Sequence, residues 1–227
     1  MLQLIDRKNR VFLYFVILIL LSSINNKNFL NDKRSFLLIN NINVTGLSNE
    51  ENIKVAKSLS SFLNKNIFFI NKEDIKKILL RNNLIELFNV KKKYPNSINI
   101  DVKKTDFLAI TLKNNQSFFI GSNGKLIKYN DLNKTLPFVF GKLDYKNFVN
   151  FKSIIDNSEF EFDQIESLYF FPSNRWDIKT IDGIEIKLPE KNLLKALTIA
   201  HKIKNSEDFN KNKIIDLRIS DNIIVTP

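Results

Sequence analysis

His201 is the only histidine in this 227-residue chain and therefore the first candidate for chemistry near neutral pH. An imidazole there could act as general base, proton shuttle or metal ligand. It falls four residues after Leu197 and seven after Leu194, which places it beside the apolar stripe of a helix, the setting of a structural or half-exposed histidine. A Ser–His–Asp arrangement would have to use this one residue, and a histidine-based metal site would normally need a second. Cysteine is absent, which removes disulfides, thiolate nucleophiles and Cys-based metal sites. The five glycines (46, 121, 124, 141 and 183) stand at turns or strand ends, so no phosphate-cradling loop is expected.

The carboxylates give no clearer acid–base pair. Glu50 and Glu51 open a helix, where negative charge complements the dipole. Glu159, Glu161, Asp163 and Glu166 lie on the approach to a strand and fit a solvated edge. Asp216 and Arg218 share one face of a strand and can pair with each other or with neighbouring strands. Trp176, the only tryptophan, sits in an alternating hairpin and fits the core better than a ligand stack. No catalytic residue, cofactor or metal is expected, and no small-molecule substrate. A chain of this kind works by binding, and unpaired strand edges are a template for a partner.

Composition bounds the partners. The net charge of +11 would suit nucleic acid or an anionic surface, but the basic residues are spread along the chain. Lys91-Lys92-Lys93, the longest run, falls in a strand entering a turn, so no nucleic-acid partner is expected. Near the start, Arg7, Lys8 and Arg10 precede an apolar run from Val11 to Leu21. Over residues 11–24 a helix would span roughly 21 Å, against a bilayer core of roughly 30 Å. The run can lengthen through Leu30 with Lys27 reaching to the interface, and no small-x-small cleavage site follows it. The short apolar core also fits the h-region of a cleaved signal peptide, but the lengthening and the missing cleavage site favour a membrane anchor over residues 11–30, behind a cytoplasmic segment 1–10; either reading sends the remainder across the membrane.

The elements that must position everything else follow from residue 36. Phe36–Val44 is expected as a strand ending at Gly46. Ser48 and Glu51 form a capping box, opening a helix with Ile53, Ala56, Leu59, Ser60 and Leu63 at helical spacing. Asn66–Ile70 is a short apolar crossing, and Asn71 caps a second helix carrying Ile75, Ile78 and Leu79. Val90–Tyr94 and Ile98, Ile100, Val102 flank Pro95-Asn96-Ser97 as strand, turn and strand. The order is β-α-α-β-β. A second block begins near Ala109, with strands at Phe118–Ile120 and Leu126–Ile127 around Gly121–Gly124 and a helix over residues 145–157. Strands then follow at Ile165–Phe171, Arg175–Thr180 and Ile184–Leu188, the last two joined through Asp182-Gly183. Leu193–Lys204 is helical, and Ile214–Ile219 and Ile223–Thr226 close the chain.

Several of these stretches resemble a known family. Ile42-Asn-Val-Thr-Gly46, Asn66-Ile-Phe-Phe-Ile70 and the hairpin from Val90 to Val102 resemble a POTRA (polypeptide-transport-associated) domain. Leu136-Pro-Phe-Val-Phe-Gly141, the hairpin from Arg175 to Glu190 and Ile215-Asp-Leu-Arg218 resemble the second domain of the FtsQ/DivIB family. The family's E-R-x-P after the POTRA hairpin stands here as Lys103-Lys-Thr-Asp106, and Lys65 replaces the glycine before Asn66.

The resemblance implies an α+β fold: one transmembrane helix, a POTRA domain over 36–105, and a mixed α/β domain with an extended antiparallel sheet over 106–227. It implies a non-catalytic scaffold of the bacterial divisome, in the inner membrane at the septum with its bulk periplasmic. It also implies binding of the FtsB–FtsL pair by strand addition at the final strand. Carried over by position, the contacts are Ile219, Ser220, Asp221, Asn222, Ile223, Ile224 and Val225, with Arg175 beside the tryptophan. A POTRA-bearing transport or assembly factor is the alternative, and a secreted enzyme a further one.

Overall fold

The computed structural model describes residues 7–24, 36–128, 135–206, 214–219 and 222–226. Helix α1 (Arg7–Ile24) is apolar from Val11 to Leu21, with those side chains exposed, and carries Arg7, Lys8 and Arg10 at its start. Among the described residues no helix is long and apolar enough to cross a membrane. The expected anchor includes residues 25–30, which lie outside the described residues.

Beyond α1 the first unit runs β1 (Asn41–Thr45), α2 (Asn49–Ser58), α3 (Lys72–Leu79), β2 (Ile85–Lys93) and β3 (Ser97–Lys104). Its sheet has the order β1-β3-β2, with β1 parallel to β3. The capping box forms, with Glu51 N–H donating to Ser48 Oγ and Ser48 N–H donating to Glu51 Oε2. The helical stripe differs from expectation. α2 ends at Ser58 and passes into a 3-10 turn (Ser60–Phe62), so Val55, Leu59 and Phe62 are buried while Ile53 is 55% exposed. The first strand is also shorter than expected: Leu38 makes only an isolated bridge to Asn66, and regular pairing starts at Asn41. Asn66–Ile70 forms a 3-10 turn over Ile67–Phe69, capped by the Asn66 side chain. Gly46 sits at φ +104°, where a Cβ would lie 1.7 Å from the Val102 carbonyl oxygen, so only glycine fits.

The second unit contains β4 (Phe107–Lys113), β5 (Gln116–Gly121), β6 (Leu126–Lys128), β7 (Phe138–Phe140), α4 (Tyr145–Asp156) and β8 (Ile165–Phe170). It continues through β9 (Trp176–Thr180), β10 (Glu185–Lys187), α5 (Leu193–Lys204), β11 (Ile214–Ile219) and β12 (Asn222–Thr226). Leu80–Leu87 clusters with this unit. Side-chain bonds tie that segment to the start of β6 and the turn before it: Asn83 Nδ2 donates to the Leu126 carbonyl (2.8 Å), and Lys125 Nζ to the Leu80 carbonyl (2.7 Å).

These strands make one nine-stranded sheet, β12-β11-β10-β9-β8-β7-β4-β5-β6. It is mixed, correcting the expected antiparallel sheet. β10–β11, β7–β8 and β4–β7 are parallel. Helices account for two of these pairs: α5 lies between β10 and β11 in sequence and α4 between β7 and β8, and a helical crossover returns the chain in the same direction, whereas β4 reaches β7 through β5 and β6. The core collects Phe148, Phe151 and Ile155 of α4, Ala196, Leu197 and Ala200 of α5, and Trp176, Ile178, Ile186 and Ile215 of the sheet. Trp176 stacks on Phe151 at 4.6 Å.

Candidate partner-binding edge

Edge strand β12 pairs only with β11 among the described residues. Its side chains are placed by the cross-strand rows. On the helix-covered face, Leu168, Ile178, Ile186, Ile215 and Val225 lie in register, and all but Val225 are fully buried. Val225 is half-buried and packs against the core from the sheet edge. On the opposite face the parallel row runs Tyr169, Asp177, Lys187, Asp216 and Ile224, and Ile224 is 48% exposed. A strand whose residues alternate in this way is held by one face and displays the other.

The backbone direction of each β12 residue follows from the ladder. Thr180 N–H donates to the Ile184 carbonyl and Leu188 N–H to the Trp176 carbonyl. Within β10, Ile186 therefore bonds toward β9, while Glu185 and Lys187 bond toward β11. In the parallel β10–β11 register those two residues bracket Ile215, which takes the bonds from β10. Ile214 and Asp216 then bond toward β12, opposite Thr226 and Ile224. By alternation the N–H and C=O of Val225 point away from the sheet, and those of Ile223 with them. Among the described residues nothing pairs with that side of β12, which leaves an open ladder.

Local chemistry stiffens the neighbouring strand. Between the Asp216–Ile224 and Ile219–Asn222 pairs, β11 has two residues where β12 has one, a bulge that bends the edge. At the bulge Arg218 Nε donates to both Asp216 oxygens (2.8 and 2.9 Å), and Arg218 N–H donates to Oδ1 (3.1 Å). The Arg218 hydrogen bond holds the Asp216 carboxyl below the usual carboxylate range, against the opposing effect of burial. A cavity of about 450 Å³ adjoins the bulge, lined by Glu190, Lys191, Lys195, Ala196, Arg218 and Ile219 among others. Its charged lining is mainly basic.

The other expected contacts fall differently. Arg175 precedes β9, three strands in from β12, at about 14 Å by strand spacing. Its guanidinium lies 4.6 Å over the Phe171 ring and Nε donates to Asp177 Oδ1 at 3.3 Å. Asp177 is 4% exposed, and burial raises its pKa, with Arg175 opposing that shift. Arg175 thus partners a buried carboxylate away from the edge strand. Ser220 and Asp221 lie outside the described residues, as do the side chains of Asn222 and Ile223. His201 is half-buried on α5, with Nε2 3.0 Å from Asn205 Nδ2. Among the described residues no three His, Cys, Asp or Glu side chains gather as a metal site. The basic cavity beside the bulge is the element that residue patterns missed, since its lining joins residues 189–199 to 217–219 only through the crossover.

Comparison with known proteins agrees with this architecture along most of the chain. Residues 37–104 match the model of the POTRA domain, FtsQ-type, and residues 109–218 match that of the cell division protein FtsQ/DivIB, C-terminal. The cell division protein FtsQ of Rickettsia bellii is 29% identical over 185 residues, covering 79% of this chain and 68% of its own. That of Rickettsia typhi is 27% identical, over 79% and 69%. That of Rhizobium meliloti is 20% identical over 201 residues, 82% and 62%. The major extracytoplasmic domain of DivIB from Geobacillus stearothermophilus is 14% identical, with a TM-score of 0.34, over 46% of this chain and 99% of its own. With its FtsQ-type POTRA unit followed by the FtsQ/DivIB C-terminal sheet, the chain belongs to the FtsQ/DivIB family of cell division proteins.

Proposed function

We propose that this chain is a non-catalytic, membrane-anchored scaffold of the bacterial division machinery, and that β12 takes a partner strand from an FtsB–FtsL-like complex. The observation that carries this reading is the outward-facing backbone of Val225 and Ile223 on an edge strand held to the core row through the Val225 side chain. An added strand would continue the ladder without rearranging the sheet. The basic cavity at Arg218 and Ile219 adjoins the same edge, so the segment flanking the added strand would carry acidic side chains. Asn222 and Ile224 belong to this contact. Arg175 would be reached only by a partner extending across the open face of the sheet.

In this reading residues 1–10 are cytoplasmic, 11–30 anchor the chain, 36–105 form the POTRA domain, and 106–227 carry the binding edge at the periplasmic face of the septum. A transport factor would leave the match over 109–218 without a role. The test is capture of the FtsB–FtsL pair from detergent extracts by the full chain and by variants of β12. Capture that is unaffected by any folded β12 variant would remove the edge from the reading.

A further inference from the structure

The first unit carries an apolar surface that the β12 reading does not use. Phe69 is 87% exposed at the 3-10 turn, beside exposed Phe68. Phe68 stacks on Tyr94 at 5.1 Å, and Tyr94 is also exposed. The chain reaches this surface at Phe36, 59% exposed: Ile67 N–H donates to the Leu37 carbonyl, and Leu38 bridges Asn66. Four exposed aromatic rings therefore gather about this turn, more large apolar side chains than a soluble domain usually leaves in water at one place.

Two lysines stand by this turn. Lys92 Nζ donates to the Phe68 carbonyl, and the Lys65 ammonium lies 5.4 Å over the Phe62 ring. The acidic residues that follow, Glu73 and Asp74, are paired with Lys76 and Lys77. Aromatic rings flanked by lysines match a lipid–water interface, where rings enter the headgroup layer and ammonium groups meet anionic lipid. The position in the chain favours lipid over a protein partner. The polypeptide arriving at Phe36 comes from α1, exposed and apolar from Val11 to Leu21, and residues 25–35 reach at most about 40 Å even when fully extended.

We infer that Phe36, Phe68, Phe69 and Tyr94, with Lys65 and Lys92, dock the POTRA unit onto the surface of an anionic bilayer. This rests on the anchoring of α1, and the experiment separates the two. The chain has no cysteine, so single-cysteine variants can be labelled cleanly with a bimane fluorophore. The full chain is reconstituted into phosphatidylethanolamine–phosphatidylglycerol vesicles with labels at Leu18, Phe69 or Asn99, the last on the polar face of the POTRA sheet. Lipid-borne quenchers should quench Leu18 and Phe69 and leave Asn99 bright, with a blue shift at Phe69 relative to detergent. A second label at Phe36 should lose its quenching when Phe69→Ser is added. Quenching at Leu18 with Phe69 as water-exposed as Asn99 overturns the docking while leaving the anchor. Leu18 and Phe69 both unquenched reject the anchor and the docking together.

Discussion

Proline at successive positions of β12 separates folding from binding. Ile224 N–H bonds inward to β11, opposite Asp216, whereas Val225 N–H points outward. Ile224→Pro removes a native ladder bond that contributes about 1 kcal/mol, and the ring crowds the paired strand. A loss of that size lowers the melting temperature by about 4 °C in a unit whose size falls between the shorter and longer domains, and the crowding adds to it. Val225→Pro removes no intramolecular bond, because proline is tolerated on an edge strand where its nitrogen faces solvent. Its melting temperature should stay near that of the parent chain. A partner strand, however, loses one bond and meets the pyrrolidine ring. A combined loss of ~1.4 kcal/mol weakens binding tenfold, and we expect at least that. The assay is thermal melting of both variants alongside titration with purified FtsB–FtsL complex. If Val225→Pro melts with the parent and binds with unchanged affinity, strand addition at β12 is refuted. If Ile224→Pro leaves the melting temperature unchanged, the inward direction of its N–H is wrong.

Gly46→Ala should destabilise the POTRA unit by about 3 kcal/mol or more, since a positive φ is combined with a clash on the Val102 carbonyl; denaturant unfolding would show it, and an unchanged midpoint would contradict the turn geometry. Trp176→Ala should cost about 3–5 kcal/mol because the indole fills the core against Phe148, Phe151 and Phe170, with Trp176→Phe losing less; both are read by chemical denaturation. The Asp216 carboxyl has a lowered pKa in the fold, so its stabilising contribution is present above the ordinary aspartate range of ~3.9 and is lost as pH falls through the lower folded value. Asp216→Asn should therefore flatten the acid limb of stability against pH, and an acid limb identical to the parent's would exclude that pairing in solution.

Much of this fold was legible in the sequence because it depends on neighbours along the chain. The Ser48–Glu51 capping box, the Asp182-Gly183 turn, the 193–204 helix and the inward set Trp176, Ile178 and Thr180 all rest on spacings of a few residues. The Asn114-Asn115 turn between β4 and β5, with φ of +50° and +58°, carries an equally local signal of the Asx-rich hairpin kind. Strand order was not legible. Three-residue β7 sits between β4 and β8 and parallel to both, a placement set by packing among segments distant in sequence.

The binding edge shows the same division within two residues. Alternation along β12 separates the faces of Ile224 and Val225, but side-chain alternation says nothing about which N–H lies toward a neighbour in the plane of the sheet. That direction is inherited from the β9–β10 register, passed through the parallel β10–β11 pair to β11, and delivered to β12. Hydrogen-bond direction is a property of paired strands, so tertiary structure alone decided that Val225, and not Ile224, offers its backbone to a partner.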